Sequence, residues 1–327
     1  MKKIAIIGTG LAGLTLATEL KAHADISLFD KARGVGGRLS TRYESTYEFD
    51  HGAQYFTVKD SGFQAFIEKL LAADVIQRWD PVFAEFSDRK MLRISSWGES
   101  MPHYVGTPRM NTIAKHLAES QDVKLNTCIT QLTSRDHTWT LESDQGLLYG
   151  GYDWVICTAP APQTAALMPP SFKYLRDLQQ IEMQACFAMM LGMKTPLDLP
   201  WQAAMVKDNI IHWMSVNNSK PMREPASTLV AFSSNQWAQA HVDTETDWIT
   251  NTILDEIIHL TQLDRQQIDC LRLHRWRYAN APKVRLTEPL IDAANQLAVC
   301  GDWCISGRVE SAYLAATRLA SALIDLL

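Results

Sequence analysis

The sequence predicts an α/β protein of two domains, one of them built on a parallel sheet. Three observations predict it. An apolar run at the N-terminus, IAII, opens directly into G-x-G-x-x-G and a helical pattern (residues 4–20). An acidic residue, Asp30, ends the next apolar run, at the distance where a carboxylate meets an adenosine ribose. The chain of 327 residues is too long for one small core, and its texture changes near residue 173.

Each glycine of the first motif has a task. Gly8 makes the tight turn out of the strand, Gly10 lets backbone approach a pyrophosphate, and Gly13 lets the helix pack closely on the strand. The phosphates then meet the N–H groups of a helix beginning near Leu11, with Ala12 in its first turn. ISLFD reads as the second strand. Its terminal Asp30 accepts from ribose hydroxyls and disfavours a 2′-phosphate. Lys31 follows, and the stretch continues as DKARGVGGRLSTR (residues 30–42). There a second glycine pair, Gly36-Gly37, precedes Arg38 and Arg42. FAD runs extended across such a domain and needs a second clamp on its pyrophosphate, which a guanidinium fork supplies.

These residues carry a family resemblance. Asp30 to Arg42 resembles the second FAD fingerprint of the flavin amine oxidase superfamily, which includes monoamine oxidases, phytoene desaturases and protoporphyrinogen oxidases. FDHGAQYFTVKD (residues 49–60) resembles its renalase branch. CGDWCISGRVESAYLAATRLA (residues 300–320) is similar to its closing FAD motif. The resemblance implies an α/β fold with an FAD-binding Rossmann-like domain of the p-hydroxybenzoate hydroxylase/amine oxidase type and a second α+β substrate domain. The FAD domain is then discontinuous, over residues 1–56, 102–172 and 286–327. Residues 57–101 and 173–285 form the substrate domain. Noncovalent FAD is implied, held by Gly8, Gly10, Ala12, Gly13, Asp30, Lys31, Gly37, Arg38, Gln54, Tyr55, the backbone near Ile129, Asp302 and Val309. The helix starting at Arg308–Val309 is expected to turn its positive end toward flavin N1–C2=O, where reduction places negative charge.

The remaining elements follow in order. RISSWGESMPHYVG (residues 93–106) predicts a hairpin. TPRMNTIAKHLAES predicts a helix with Ile113 and Leu117 on one face. A strand is expected over 123–132, and Asp153 to Ala159 resembles the strand returning to the FAD domain. Later, KYLRDLQQIEM and WITNTILDEIIHLTQL read as helices. ACFAMMLGM, STLVAFSSN and LRLHRWRYA read as strands. Of His274, Trp276, Arg277 and Tyr278, alternation turns only half inward.

Renalase-like enzymes oxidise dihydronicotinamide isomers reduced at ring position 2 or 6. Hydride passes to flavin N5, NAD(P)+ leaves, and O2 becomes H2O2. The ring becomes aromatic as it loses hydride, so no general base is obligatory. No catalytic side chain is assigned, and positioning carries the reaction. Thr57, Val58, Lys59, Asp60, Ser61, Ser96, Trp97, Gly98 and Arg308 are the expected substrate contacts. Trp97 also reads as a core aromatic, Arg308 as a surface partner of Glu310, and His51 as a structural histidine. Trp303 and Cys304 stand where amine oxidases of the monoamine type bring paired aromatics. Two other readings remain open: a flavin amine oxidase or desaturase acting on an amine or apolar substrate, and a non-catalytic FAD/NAD-binding sensor.

Composition bounds the rest. Hydrophobic residues make up 46% and charged residues 20%, an ordinary globular balance. A net charge of −5 without single-sign runs argues against nucleic-acid binding. Glycines cut the apolar N-terminus, so it reads as a buried strand rather than a leader, and no membrane span is expected. The cysteines are scattered with no CxxC pair, which predicts free thiols, no metal site and a cytoplasmic protein. The expected partners are a small dinucleotide substrate and O2.

Overall fold

The computed structural model describes residues 1–97, 101–282, 286 and 288–327. The chain divides into two compact units. The first comprises Met1–Gly37, Ile113–Met183 and Asn280–Leu327, and the second comprises Arg38–Thr112 and Gln184–Ala279.

The first unit begins with strand β1 (Lys2–Ile7), helix α1 (Leu11–Leu20) and strand β2 (Ala24–Phe29). β1 and β2 pair in parallel, and β1 pairs on its other side with Trp154–Cys157, also in parallel. The described sheet has six strands, ordered Leu290–Asp292, Leu297–Val299, Trp154–Cys157, β1, β2 and Asp122–Lys124. Ile4, Ala5 and Ile6 are fully buried, as expected of a central parallel strand covered on both faces. α1 packs against the last helix, Val309–Ile324, so the two ends of the chain meet in one layer. This explains why α1 is buried almost all round: its residues face the sheet on one side and Ala316, Leu319 and Ala320 belong to the layer on the other.

The second unit is built on a sheet of seven described strands. Their order is Ile268–Asn280, Gln184–Met193, Thr228–Ser233, Ile211–Val216, Ala203–Lys207, Val82–Ser87 and Lys90–Ser96. Helix Thr246–Thr261 turns Ile249, Ile253, Ile257 and Leu260 into the core beside Phe187, Leu191 and Leu229. The spacing of those four residues is the one-face pattern of an amphipathic helix.

Two expectations need correction. The predicted strand over 123–132 is two strands, Asp122–Lys124 and Ile129–Arg135, in different sheets. Asn126, with φ +52°, breaks the run between them. The predicted hairpin over 93–106 does not form, because Lys90–Ser96 pairs with Val82–Ser87 while Tyr104–Gly106 pairs with Ile76–Arg78. The compact units themselves place residues 38–56 and 102–112 in the second and residues 173–183 and 280–282 in the first. Residues 38–56 sit in the second unit through the hairpin Thr41–Glu44/Tyr47–Asp50. Its Tyr47 and Phe49 join a core cluster with Met190 and Val230. A Cβ at Gly192 would lie 2.7 Å from the Tyr47 ring, so that strand position is bare to admit the tyrosine.

Candidate functional site

The glycine turn lies between β1 and α1. Gly8 has φ +111°, a conformation open to glycine alone at no cost. A Cβ on Gly13 would lie 2.0 Å from the Gly8 carbonyl oxygen, so helix and strand are as close as backbone permits. Gly10 is different. Its φ of −70° suits any residue, and a Cβ there would meet nothing within 4 Å. Among the described residues neither strain nor packing requires a glycine at that place, and its bare backbone leaves room for a group to approach. Gly10 is also the N-cap of α1 and makes no side-chain cap, and the first turn carries no acid. The first N–H groups of α1 therefore meet no competing cap at the positive end of the helix.

Asp30 ends β2 beside this turn. Its Oδ2 accepts from the Thr9 N–H (2.8 Å) and the Thr9 hydroxyl (2.6 Å), and its Oδ1 accepts from the Ala32 N–H (2.8 Å). These bonds orient the carboxylate against the glycine turn. Gly10 and Gly36 form a backbone bridge, and the Gly36 N–H donates to the Thr9 carbonyl (2.9 Å). Gly37, with φ +52°, is in contact distance of Gly10. The Thr127 N–H donates to the Asp30 carbonyl (2.8 Å), which brings the start of the Ile129 strand to the same edge. Gly8, Gly10, Gly13, Asp30 and Gly37 are thus one constellation, with Ala12 buried inside α1 and Lys31 exposed at its rim. These residues fit an adenine dinucleotide: an open glycine, uncapped helical N–H groups and an oriented carboxylate.

The closing motif belongs to the same unit. A Cβ on Gly301 would lie 2.3 Å from Trp303 Nε1, so the glycine makes room for the indole. Trp303 is fully buried and donates to the Ala159 carbonyl (3.0 Å), at the end of the returning strand. It is therefore core, and it cannot take the place of an aromatic cage over a substrate. Asp302 is buried beside it, and helix Val309–Ile324 starts five residues on from Cys304 with Arg308 exposed at its N-cap, making no side-chain cap. Burial raises three thiols of this unit. Cys157 and Cys300 are raised, and Cys304 is pushed up to about 12.

In the second unit, Gln54 is spent internally. Its amide donates to the carbonyls of Asp50 (2.5 Å) and Gly52 (3.1 Å), and its carbonyl accepts from Ser215 (2.7 Å) and Lys220 (3.1 Å). Both ends of the Gln54 amide are thus hydrogen-bonded within the protein, which fixes the side chain next to Tyr55 in the chain. Arg38 Nη1 donates to the Ala279 carbonyl (3.1 Å). Asp60 caps the helix Ser61–Ala72, accepting from the N–H groups of Gly62 and Phe63, so its carboxylate has a structural role that also fixes Ser61. Thr57 and Val58 are partly covered and Lys59 is exposed. Ser96 ends an exposed edge strand. Gly98 lies outside the described residues.

Alternation separates neighbours along Ile268–Asn280. His274 and Trp276 share a face and meet His51, at 4.9 and 5.3 Å between ring centroids. Arg277 points the other way, to Asp243. The Trp276 indole donates to the His51 carbonyl (2.7 Å). Burial, with His274 adjacent, pushes His51 down to about 4, so it is a neutral structural imidazole.

Sequence reasoning missed a buried ion cluster. Asp50 Oδ2 lies 3.2 Å from Lys220 Nζ and 2.6 Å from Arg223 Nη2, and the three side chains are 0–2% exposed. Burial alone would raise the Asp50 carboxyl, but the two cations outweigh it and hold it far below the usual range. Burial pushes the Lys220 ammonium down to about 8 against the pull of Asp50. Lys220 and Arg223 sit in SVNNSKPMREP, whose composition reads as an exposed turn, so only the fold reveals them. Missed also was an aromatic cluster joining Tyr55 and Trp97 to His103 (4.9 and 3.6 Å) and Trp213 (5.4 and 6.1 Å).

Comparison with known proteins agrees with this architecture. Residues 6–70 match the NAD(P)-binding Rossmann-like domain, and residues 91–324 match the flavin containing amine oxidoreductase family. Renalase of Mus musculus is 26% identical over 244 residues, covering 67% of either chain. Among solved structures, a proposed protoporphyrinogen oxidase from Exiguobacterium sp. 255-15 superposes with a TM-score of 0.77 at 11% identity, covering 100% of this chain and 99% of that one. A putrescine oxidase bound to putrescine gives 0.70 at 14% identity, covering 99% of each chain. At such identities the structures establish the fold alone. No described helix is long and apolar enough to cross a membrane.

Proposed function

The chain belongs to the flavin containing amine oxidoreductase family, and from that premise we propose that it is an FAD-dependent oxidase of dihydronicotinamide dinucleotides reduced at ring position 2 or 6. Its cofactor is FAD. The observation that carries the flavin reading is Gly10, a glycine whose bareness the protein itself does not require. The likeness to mouse renalase, together with FDHGAQYFTVKD, favours the dihydronicotinamide substrate over an amine.

Bound FAD would supply the redox chemistry, by which the reduced ring's hydride and one solvent proton convert O2 to H2O2. The protein's part is binding and orientation. Gly10 and the first N–H groups of α1 receive the pyrophosphate. Asp30, fixed by Thr9 and Ala32, accepts from the adenosine ribose hydroxyls, and backbone near Ile129 borders the adenine. Asp302 hydrogen-bonds the ribityl or phosphate portion. The N-terminus of Val309–Ile324 would offer positive potential to the N1–C2=O edge of a bound flavin, which would stabilise its reduced state. Arg308, exposed at that helix start, meets a substrate phosphate. Protonated, buried thiols at Cys157, Cys300 and Cys304 are no nucleophiles, which supports noncovalent attachment.

Loss of hydride turns the substrate ring aromatic, so no side chain has to remove a proton. Holding the ring in reach of the acceptor is what the enzyme must do. Anaerobic mixing of the purified holoprotein with 2- or 6-dihydro-NAD tests this. The reading predicts bleaching of the flavin and release of NAD+. Bleaching by amines alone overturns it.

A further inference from the structure

We infer that Tyr55, Trp97, His103 and Trp213 form a recognition box for a flat ring bearing a carbonyl, and that the Trp213 indole N–H selects that carbonyl. The inference rests on the dihydronicotinamide reading and adds how the ring is told apart from an amine.

The box lies wholly in the second unit. Trp97 and His103 stack at 3.6 Å with 25° between planes. Tyr55 meets both edge-on, at 4.8 and 4.9 Å, and Trp213 lies 5.4 Å from Tyr55. Phe83 backs Trp97 and Trp213, and Trp79 meets Trp97. Tyr55, Trp97 and His103 are only partly covered, so part of the cluster is open to solvent among the described residues.

Its polar atoms are unusual. Trp213 is 7% exposed and Trp79 is 2% exposed. The indole nitrogens of both, and Nδ1 of His103, are buried with no hydrogen-bond partner among the described residues. Most buried polar groups in proteins are paired, and leaving one unpaired is costly. Three in one aromatic cluster ask for a common explanation. Indole is a donor and never an acceptor. An alkylammonium brings donors only, and a hydrocarbon brings nothing, so neither relieves an unpaired indole. A carboxamide on a flat heteroaromatic ring brings a carbonyl acceptor together with a π face that Trp97 and Tyr55 can stack on. A site built around a hydrogen bond also discriminates strongly against the analogue that lacks it.

The test uses the FAD-loaded protein and two probes, nicotinamide mononucleotide and its pyridine analogue without the carboxamide, with binding read by calorimetry. Trp213→Phe keeps an aromatic ring and removes the N–H, and Trp213→Tyr restores a donor. The wild type is expected to prefer the carboxamide probe by roughly tenfold, the worth of one hydrogen bond made in a desolvated site. Trp213→Phe is expected to abolish that preference while leaving the pyridine probe within about twofold, and Trp213→Tyr to recover part of it. Equal loss for both probes, or no loss for either, overturns the inference. If Trp213→Phe does not fold, the wild-type preference decides alone, and its absence overturns the inference. Bleaching by dihydronicotinamides without carboxamide selection removes the box and leaves the proposed function standing. Selection without bleaching does the reverse.

Discussion

Lys220 Nζ lies 3.2 Å from Asp50 Oδ2, and both side chains are fully buried. Arg223 shares the same carboxylate oxygen at 2.6 Å. One anion thus serves two cations, which predicts an order of effects. Asp50→Asn leaves two buried cations facing each other and should destabilise by about 3–5 kcal/mol. Lys220→Met leaves the Asp50–Arg223 pair intact and should cost clearly less. Urea midpoints of the two variants check this. A larger loss for Lys220→Met would contradict the account.

Gly10→Ala and Gly13→Ala should fail in different ways. At Gly13 the new methyl meets the Gly8 carbonyl oxygen at 2.0 Å, so the apoprotein itself should lose about 2 kcal/mol or more. At Gly10 it meets only open space, so apoprotein stability should hold while FAD affinity falls. Melting of the apoproteins and FAD titration separate the two. Unchanged FAD affinity in Gly10→Ala would remove the argument from the open glycine.

Asp30→Ala should weaken FAD retention and also loosen the turn. It deletes three native hydrogen bonds, two from Thr9 and one from Ala32, worth about 1 kcal/mol each. Equal FAD affinity in variant and parent would contradict the ribose role, whatever happens to the melting temperature.

His51 should make the protein acid-sensitive. Its native value of about 4 lies below the ordinary 6.5, so between those values the unfolded chain takes a proton that the folded one refuses. Stability is therefore retained above pH 6.5 and falls as pH drops toward 4, by up to about 3 kcal/mol. His274, also lowered by burial, acts in the same direction. His51→Gln should flatten the decline between pH 6.5 and 5 in urea titrations. Parallel declines would show that His51 is not its source.

Much of the first unit is legible in sequence because its signals are local. Gly8, Gly10, Gly13 and Asp30 lie within one β-α-β stretch, and each answers to a backbone or ribose requirement. The second unit is written in long-range terms. Nothing near Gln54 in sequence announces that Ser215 and Lys220, more than 160 residues on, both donate to its carbonyl. The pair Tyr104–Gly106 looks like a return strand for 93–97 until Ile76–Arg78 is found beside it. Trp213 stands in a plain alternating strand, and nothing in IHWMSV marks its indole as unpaired.

The most direct measurement is an anaerobic titration of the yellow holoprotein with 6-dihydro-NAD, followed at the flavin band near ~450 nm. The account predicts complete bleaching at one equivalent, with NAD+ released and colour restored by air, and no bleaching by putrescine. Bleaching by putrescine while the dihydronicotinamide leaves the band untouched would contradict it.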